Sequence, residues 1–222
     1  VRNFFTEKAE TWTESSGQLH IYALPNAELN RTLTPYAAAL GGLSGVAVQP
    51  LEFFHFTVQR LPFMLDEVRA VTPHLVGSMR QQLRALKPFI LDIGYPVITD
   101  DSVIVRGGDS EEWRKLTRQL RRAIQTVLGD AGLHYAPPTL GPHLTVAYGV
   151  GPSDDTEIAR RLNSVRTATT RGAEAVPHLD RAQGSAALAR VRIDSVDLVS
   201  VHVHPGAGVY TFDTIAEIAF GH

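Results

Sequence analysis

The chain has 222 residues, is 44% hydrophobic, and carries 21 Lys and Arg against 23 Asp and Glu, a formal charge of −2. That is enough apolar material for a sizeable core in one domain or two small lobes. It is too little positive charge to grip a long phosphate backbone by counterion release alone, although a local basic patch is compatible with it. The absence of cysteine excludes disulfides, thiolate catalysis and cysteine-ligated zinc, and fits a reducing compartment.

No apolar run is long enough to span a bilayer, so a cytoplasmic protein without a membrane partner is expected. The opening stretch, VRNFFTEKAETWTESSG, is polar and acidic and lacks the apolar core of a secretory signal. Residues 1–17 are expected to form a loosely held arm, followed by a single domain over 18–222.

QLHIYALP (18–25) alternates like a strand, with Leu19, Ile21 and Ala23 on one face and His20 and Tyr22 on the other. Residues 27–40 place Leu29, Leu33, Tyr36 and Leu40 at helical spacing, with Pro35 expected to kink the helix or delay its start. Two strands broken near Pro50 follow, the second over 53–59, and then a helical stretch over 64–86 interrupted at Pro73. Residues 88–108 read as a hairpin turning at Asp100 and Asp101.

Residues 110–132 form the clearest helix. Ser110 is its expected N-cap and Glu111 and Glu112 suit its positive end. Trp113, Leu116, Leu120, Ile124 and Leu128 form the apolar stripe, with Arg114, Lys115, Arg118, Arg121 and Arg122 largely off it. A strand over 138–151 and a helix of about ten residues opening at Ser153 come next. Residues 166–189 have weak periodicity and are expected to be a mobile or partly helical insertion. Strands over 190–203 and 208–220 close the chain.

Two strands carry the same words: HFTVQR at 55–60 and HLTVAY at 143–148, 88 positions apart. Each ends a unit of strands and one helix, a weak internal repeat of the kind that builds a pseudo-symmetric, two-lobed molecule. Side chains two apart on a strand share a face. His55 and Thr57 therefore share one face and Phe56 and Val58 the other; His143 and Thr145 share one, and Leu144, Val146 and Tyr148 the other.

Two imidazoles and two hydroxyls looking into one site suit phosphoryl transfer at a phosphodiester. One neutral His takes a proton from the attacking oxygen, one protonated His gives a proton to the leaving oxygen, and the hydroxyls hold the non-bridging oxygens. A single His-x-Thr is most often a structural histidine; the paired occurrence favours the functional reading.

These motifs resemble those of the 2H phosphoesterase superfamily, named for two H-x-[ST]-h motifs (h apolar), and most resemble its bacterial 2′-5′ RNA ligase/2′,3′-cyclic phosphodiesterase branch. LHIYALP, FFHFTVQRL, GPHLTVAYG and VYTFDTIAEIAF are the matching stretches, so the resemblance covers about 18–220, with 166–189 as a departure. It implies an α+β, bilobal, pseudo-symmetric fold with two antiparallel sheets facing a central cleft and helices outside. It also implies cofactor- and metal-independent chemistry on 2′,3′-cyclic or 2′-5′ linked phosphates at RNA or nucleotide ends, with His55, Thr57, His143 and Thr145 catalytic.

His20, Tyr22 and Gln59 are further candidates for touching substrate: the first two from the less apolar face of the first strand, Gln59 by extending the His55/Thr57 row. Tyr148 falls on the opposite face by parity. Arg60 and Arg106 end strands, where arginines are usually solvated. His202 and His204 share a strand face, but no carboxylate sits at a telling spacing, so no metal site is expected. The rival readings are a non-catalytic RNA- or nucleotide-binding module on the same fold, and a phosphodiesterase for a nucleotide-derived cyclic phosphate metabolite. A monomer is expected.

Overall fold

The structure, a computed structural model, describes residues 1–9, 16–134, 141–173 and 187–221. Its beginning is docked. The Asn3 Oδ1 accepts from the N–H groups of Phe5 and Thr6 at 3.0 and 3.2 Å, capping a short helix, α1 (Phe4–Ala9). The Asn3 amide donates to the Val150 carbonyl at 2.9 Å, and Phe5 is buried against Tyr148 and Tyr210. The expected loose arm is thus tied down at its start, because an asparagine cap and two aromatic side chains anchor it. Residues 10–15 lie outside the described residues.

Strand β1 (Ser16–Ala23) leads to α2 (Ala27–Leu40), where the Asn26 side chain accepts from the Leu29 N–H. Leu29, Leu33, Tyr36 and Leu40 are all buried, and the helix runs from Ala27 through Pro35 with no late start. After β2 (Val46–Val48) and β3 (Phe56–Met64), Pro73 divides the next helical stretch into α3 (Leu65–Val68) and α4 (Thr72–Leu83). In the first turn of α4 its missing N–H leaves no helix bond unmade.

Strand β4 (Phe89–Ile93) precedes the hairpin of β5 (Val97–Ile98) and β6 (Ser102–Arg106). Helix α5 (Glu111–Leu128) is capped by Ser110, and Trp113, Leu116, Leu120 and Ile124 are buried. Strand β7 (His143–Gly149) carries the second motif. Helix α6 (Asp155–Ala173), β8 (Ala189–Ile193), β9 (Ser195–His204) and β10 (Val209–Ala219) complete the chain.

One local expectation changes. The stretch 88–93 belongs to no hairpin: β4 pairs with β8 in a separate two-stranded sheet, and its end touches the end of β6 through the isolated Ile93–Gly107 bridge and the bonds from the Gly94 N–H to the Arg106 carbonyl and from the Gly108 N–H to the Asp92 carbonyl. Its partner lies about a hundred residues away, so no local pattern could announce it. The start of the 166–189 stretch is helical, one of its two expected forms: it continues α6, where the Arg166 guanidinium lies 4.4 Å from the centre of the Tyr95 ring. Residues 174–186 lie outside the described residues.

The large sheet has eight strands in the order β10-β9-β1-β3-β7-β6-β5, with β2 beside β7, and every pairing is antiparallel. It is made of two four-stranded halves that meet at one residue pair, Phe56 opposite Leu144. Those are the middle residues of the two His-x-Thr motifs, so the local two-fold of the repeat passes between them. This is the bilobal, pseudo-symmetric α+β arrangement expected from the sequence.

One face of the sheet is packed by α2, α4, α5 and α6 around Phe56, Val58, Leu144 and Val146. The other carries a smaller aromatic cluster of Phe5, Tyr22, Tyr148 and Tyr210 with Val199 and Val201. Hairpin β9–β10 reaches across to the other half over that cluster. At its tip Gly208 (φ +70°) lies so close to Ala47 and Val150 that an added Cβ would overlap both. Gln49 brackets the Tyr210 backbone, donating to its carbonyl at 2.5 Å and accepting from its N–H at 3.1 Å.

Candidate active site

Phe56 and Leu144 are both 0% exposed and belong to the helix-packed core. Residues opposite each other in an antiparallel pair share a face. With 56 facing 144, His55 therefore lies beside Thr145 and Thr57 beside His143, all four on the face away from the helices and all four partly exposed. The two histidines occupy diagonal corners, at a Cα separation of roughly 7–8 Å for such neighbours. Strand parity brings these four residues together as expected from the sequence.

The histidines are held in the same way. His55 Nδ1 lies 2.8 Å from the Phe53 carbonyl, and His143 Nδ1 lies 3.2 Å from the Gly141 carbonyl. A carbonyl only accepts, so each ring carries its hydrogen on Nδ1. Each Nε2 is then left to exchange a proton with something in the site.

Their surroundings differ. The His55 ring stacks on Tyr22, with centroids 3.8 Å apart and planes 14° from parallel, and meets the edge of Phe212. Burial, helped by the charge of His143, pushes the His55 imidazole down to about 4, despite the Phe53 hydrogen bond acting the other way. His143 has no such aromatic packing among the described contacts; it lies at the rim of a cavity of about 690 Å³.

Beyond the threonines, simple alternation fails. Ile21 faces Gln59 but Tyr22 faces Thr57; Val103 faces Ala147 but Ile104 faces Thr145. Each motif strand thus contains a β-bulge at its valine, Val58 or Val146, 88 positions apart like the histidines. A bulge adds one residue to a strand and reverses parity beyond it.

Gln59 is therefore turned to the helix face. It is fully buried, and its Oε1 accepts from Arg121 Nη1 at 2.9 Å, so the expected row with His55 and Thr57 does not exist. Arg60 turns to the site face opposite His20, and Tyr148 turns there too, into the aromatic cluster. The Tyr148 phenol, pushed up to about 12 chiefly by burial, hydrogen-bonds the Thr145 hydroxyl.

His20 and Tyr22 do lie on the site face but are 3% and 1% exposed, which leaves no surface for a substrate. The Gln18 side-chain Oε1 lies 3.4 Å from His20 Nε2, so that nitrogen carries the hydrogen and Nδ1 accepts from the Tyr22 hydroxyl at 2.8 Å. Burial lowers the His20 imidazole and raises the Tyr22 phenol, which keeps both neutral and this chain of bonds intact. Together they fix the ring on which His55 stacks.

On another part of the sheet, His202 Nε2 bonds Asp213 and His204 Nε2 bonds Thr211. Among the described residues no group of three or more His, Asp or Glu is placed to hold a metal, and no helix is long and apolar enough to cross a membrane.

No family model matches the chain, and no curated protein matches it. Solved structures do. TT0787 of Thermus thermophilus matches with a TM-score of 0.64 at 16% identity, over 92% of this chain and 99% of that one. E. coli LigT complexed with phosphate matches at TM-score 0.57 and 11% identity, over 94% of this chain and 100% of that one. LigT complexed with 3′-AMP gives 0.57 at 13%, with the same coverage. A crystal structure described only as that of a phosphoesterase gives 0.58 at 11%, over 93% of this chain and 99% of that one. Two histidines on paired strands of a two-lobed antiparallel sheet thus occur in a chain that has the LigT-like fold of the 2H phosphoesterases.

Proposed function

We propose that this protein is a phosphodiesterase that opens 2′,3′-cyclic phosphates at RNA or nucleotide ends to 2′-phosphates, by acid–base catalysis between two histidines and without a metal. The observation that carries the reading is the diagonal pair of histidines with matched tautomers, each with Nδ1 held by a carbonyl and a threonine opposite it on the paired strand. Phosphate and 3′-AMP in the LigT structures of the same fold support a nucleotide phosphate as the substrate class.

In this mechanism the neutral His55 is the base. Its Nε2 takes a proton from water as the water oxygen attacks phosphorus. His143, carrying the proton on Nε2, gives it to the departing 3′ oxygen as the P–O3′ bond breaks. Thr57 and Thr145 donate to the non-bridging oxygens, and Tyr148, staying protonated, donates to Thr145 so that the threonine hydrogen points outward. The same displacement of the 3′ oxygen, with a 5′-hydroxyl in place of water as the nucleophile, is 2′-5′ ligation. Water is abundant, so hydrolysis prevails.

The single product follows from the line of attack. Nucleophile and leaving oxygen lie on opposite sides of phosphorus, and the fixed histidines define that line. Expelling the other ring oxygen forfeits the threonine contacts, each worth about 0.5–1.5 kcal/mol or more to a charged partner. Two such losses give a bias of about tenfold or more. Incubation of uridine 2′,3′-cyclic phosphate followed by phosphorus NMR tests the reading. One product, the 2′-phosphate, is expected; no turnover, or mainly 3′-phosphate, contradicts it.

A further inference from the structure

Tyr148 holds Thr145, and part of what covers Tyr148 comes from far away in the chain. The Tyr148 side chain is buried between two aromatic walls. One wall is Tyr210 of β10, with ring centroids 5.3 Å apart and its backbone bracketed by Gln49 at both N–H and carbonyl. The other wall is α1: the Phe4 and Phe5 ring centroids lie 4.7 and 5.4 Å from that of Tyr148.

The segment that carries the two phenylalanines is fitted to the end of β7. The Arg2 N–H donates to the Asp100 carbonyl at 2.6 Å, and the Asn3 amide to the Val150 carbonyl at 2.9 Å. Gly149, between Tyr148 and Val150, admits the Arg2 backbone so closely that an added Cβ would overlap the Arg2 carbonyl. The Asn3 side chain then caps α1, the helix that opens with Phe4 and Phe5. This segment is thus laid against a side chain that bonds a threonine of the site.

What the cover does follows from the chemistry of a phenol. A neutral phenol donates its hydrogen to Thr145, which leaves the threonine hydrogen for the substrate. A phenolate only accepts, and would draw the threonine hydrogen back to itself. A phenol open to water donates to water as well as to Thr145. Burial, helped by the negative charge of Asp101 in the β5–β6 turn, pushes the Tyr148 phenol up to about 12. The other titratable groups that face this cluster are the phenols of Tyr22 on β1 and Tyr210 on β10, with Arg60 of β3 beside them.

We propose that Phe4 and Phe5 are positioning residues for the reaction: α1 seals Tyr148 from water, so that the phenol stays bonded to Thr145 and the threonine hydroxyl stays turned to the substrate phosphate. The inference rests on the function proposed above and adds α1 to its machinery.

Turnover of uridine 2′,3′-cyclic phosphate tests this line of contacts. Phe4→Ala/Phe5→Ala should lower kcat by the same few-fold as Tyr148→Phe, with KM within about twofold of wild type, because the contact weakened is one made most strongly in the transition state. In a Tyr148→Phe background the same pair should change kcat by less than about 1.5-fold, since residues that act through one group do not add. Phe4→Leu/Phe5→Leu keeps the apolar cover and should recover most of the wild-type kcat. Phe4→Ala alone, at a half-buried position, carries the same test if the double variant does not fold. An unchanged kcat, or equal losses with and without the Tyr148 hydroxyl, overturns the proposal.

The seal is read without catalysis by labelling tyrosine with a carbon isotope at the ring ζ position and titrating by carbon NMR. The Tyr148 signal is the one that disappears in Tyr148→Phe. In wild type it should hold its neutral position up to about pH 11, and in Phe4→Ala/Phe5→Ala it should move by about pH 10, the ordinary range of a phenol. If no cyclic phosphate is turned over, the function proposed above fails and this titration alone decides: an earlier titration in the variant supports the seal, and identical titrations refute it.

Discussion

Strands β3 and β7 use one backbone plan in two different settings. Both place His and Thr on the same sheet face, both fix Nδ1 on a carbonyl two residues upstream, and both bulge at the following valine. The side chains around that plan diverge. His55 is packed between Tyr22 and Phe212, whereas His143 opens onto a cavity lined by arginine. After the bulge β3 has Gln59 and Arg60 where β7 has Ala147 and Tyr148. A symmetric frame supplies the geometry, and asymmetric packing lowers the imidazole of His55, chiefly through burial.

The largest effect that would break the comparison is loss of either histidine. His55→Ala and His143→Ala should each lower turnover of uridine 2′,3′-cyclic phosphate by at least about 100-fold; full activity in either rules out the pair. Next comes the junction itself. Phe56→Ala should cost about 3–5 kcal/mol of folding stability and Leu144→Ala about 2–5, because each leaves a cavity behind the motif. Urea melts of the two variants would read this directly.

Thr57→Val and Thr145→Val should each lower kcat/KM by about 10- to 100-fold, from the loss of a hydrogen bond to a charged oxygen worth about 1.5–3 kcal/mol; the serine variants should keep activity.

A sharper test is the acid limb of the pH–rate profile. The base form of His55 persists until its imidazole, held at about 4, takes a proton. So kcat/KM should stay level as pH falls through 6 and drop only near 4. Tyr22→Leu removes the stack and admits water, which should move that limb upward by roughly a unit. An unmoved limb would detach the low value from the packing. The smallest effect is expected for Tyr148→Phe: a loss of a few-fold, from a Thr145 hydroxyl no longer held by the phenol.

The sequence was legible where structure is local. Alternation in HFT and HLT placed His55, Thr57, His143 and Thr145 on one face, and helical spacing with an Asn or Ser cap located α2 and α5. It was not legible where one extra residue enters a strand. Val58 and Val146 are ordinary strand residues, and nothing in their type announces a bulge, so parity carried Gln59 to the wrong face and left Tyr148 in the wrong core.

Burial was equally hidden. His20 and Tyr22 read as polar-face residues until α1 and the β9–β10 hairpin are seen to cover their side of the sheet. A signal for α1 did exist: Asn3 ahead of Phe4 and Phe5 is a cap followed by apolar anchors. The pairing of β4 with β8 depends on residues far apart in the chain and had no local signature.

Division of labour between the two histidines is tested most directly by changing the leaving group. Each alanine variant would be assayed on uridine 2′,3′-cyclic phosphate and on bis(4-nitrophenyl) phosphate, whose nitrophenolate departs without needing a proton. His143→Ala should fall by at least about 100-fold on the cyclic phosphate yet stay within about tenfold of wild type on the nitrophenyl diester, while His55→Ala should fall by at least about 100-fold on both. The opposite pattern, with His55→Ala spared on the nitrophenyl diester and His143→Ala lost on it, would contradict the assignment of base and acid.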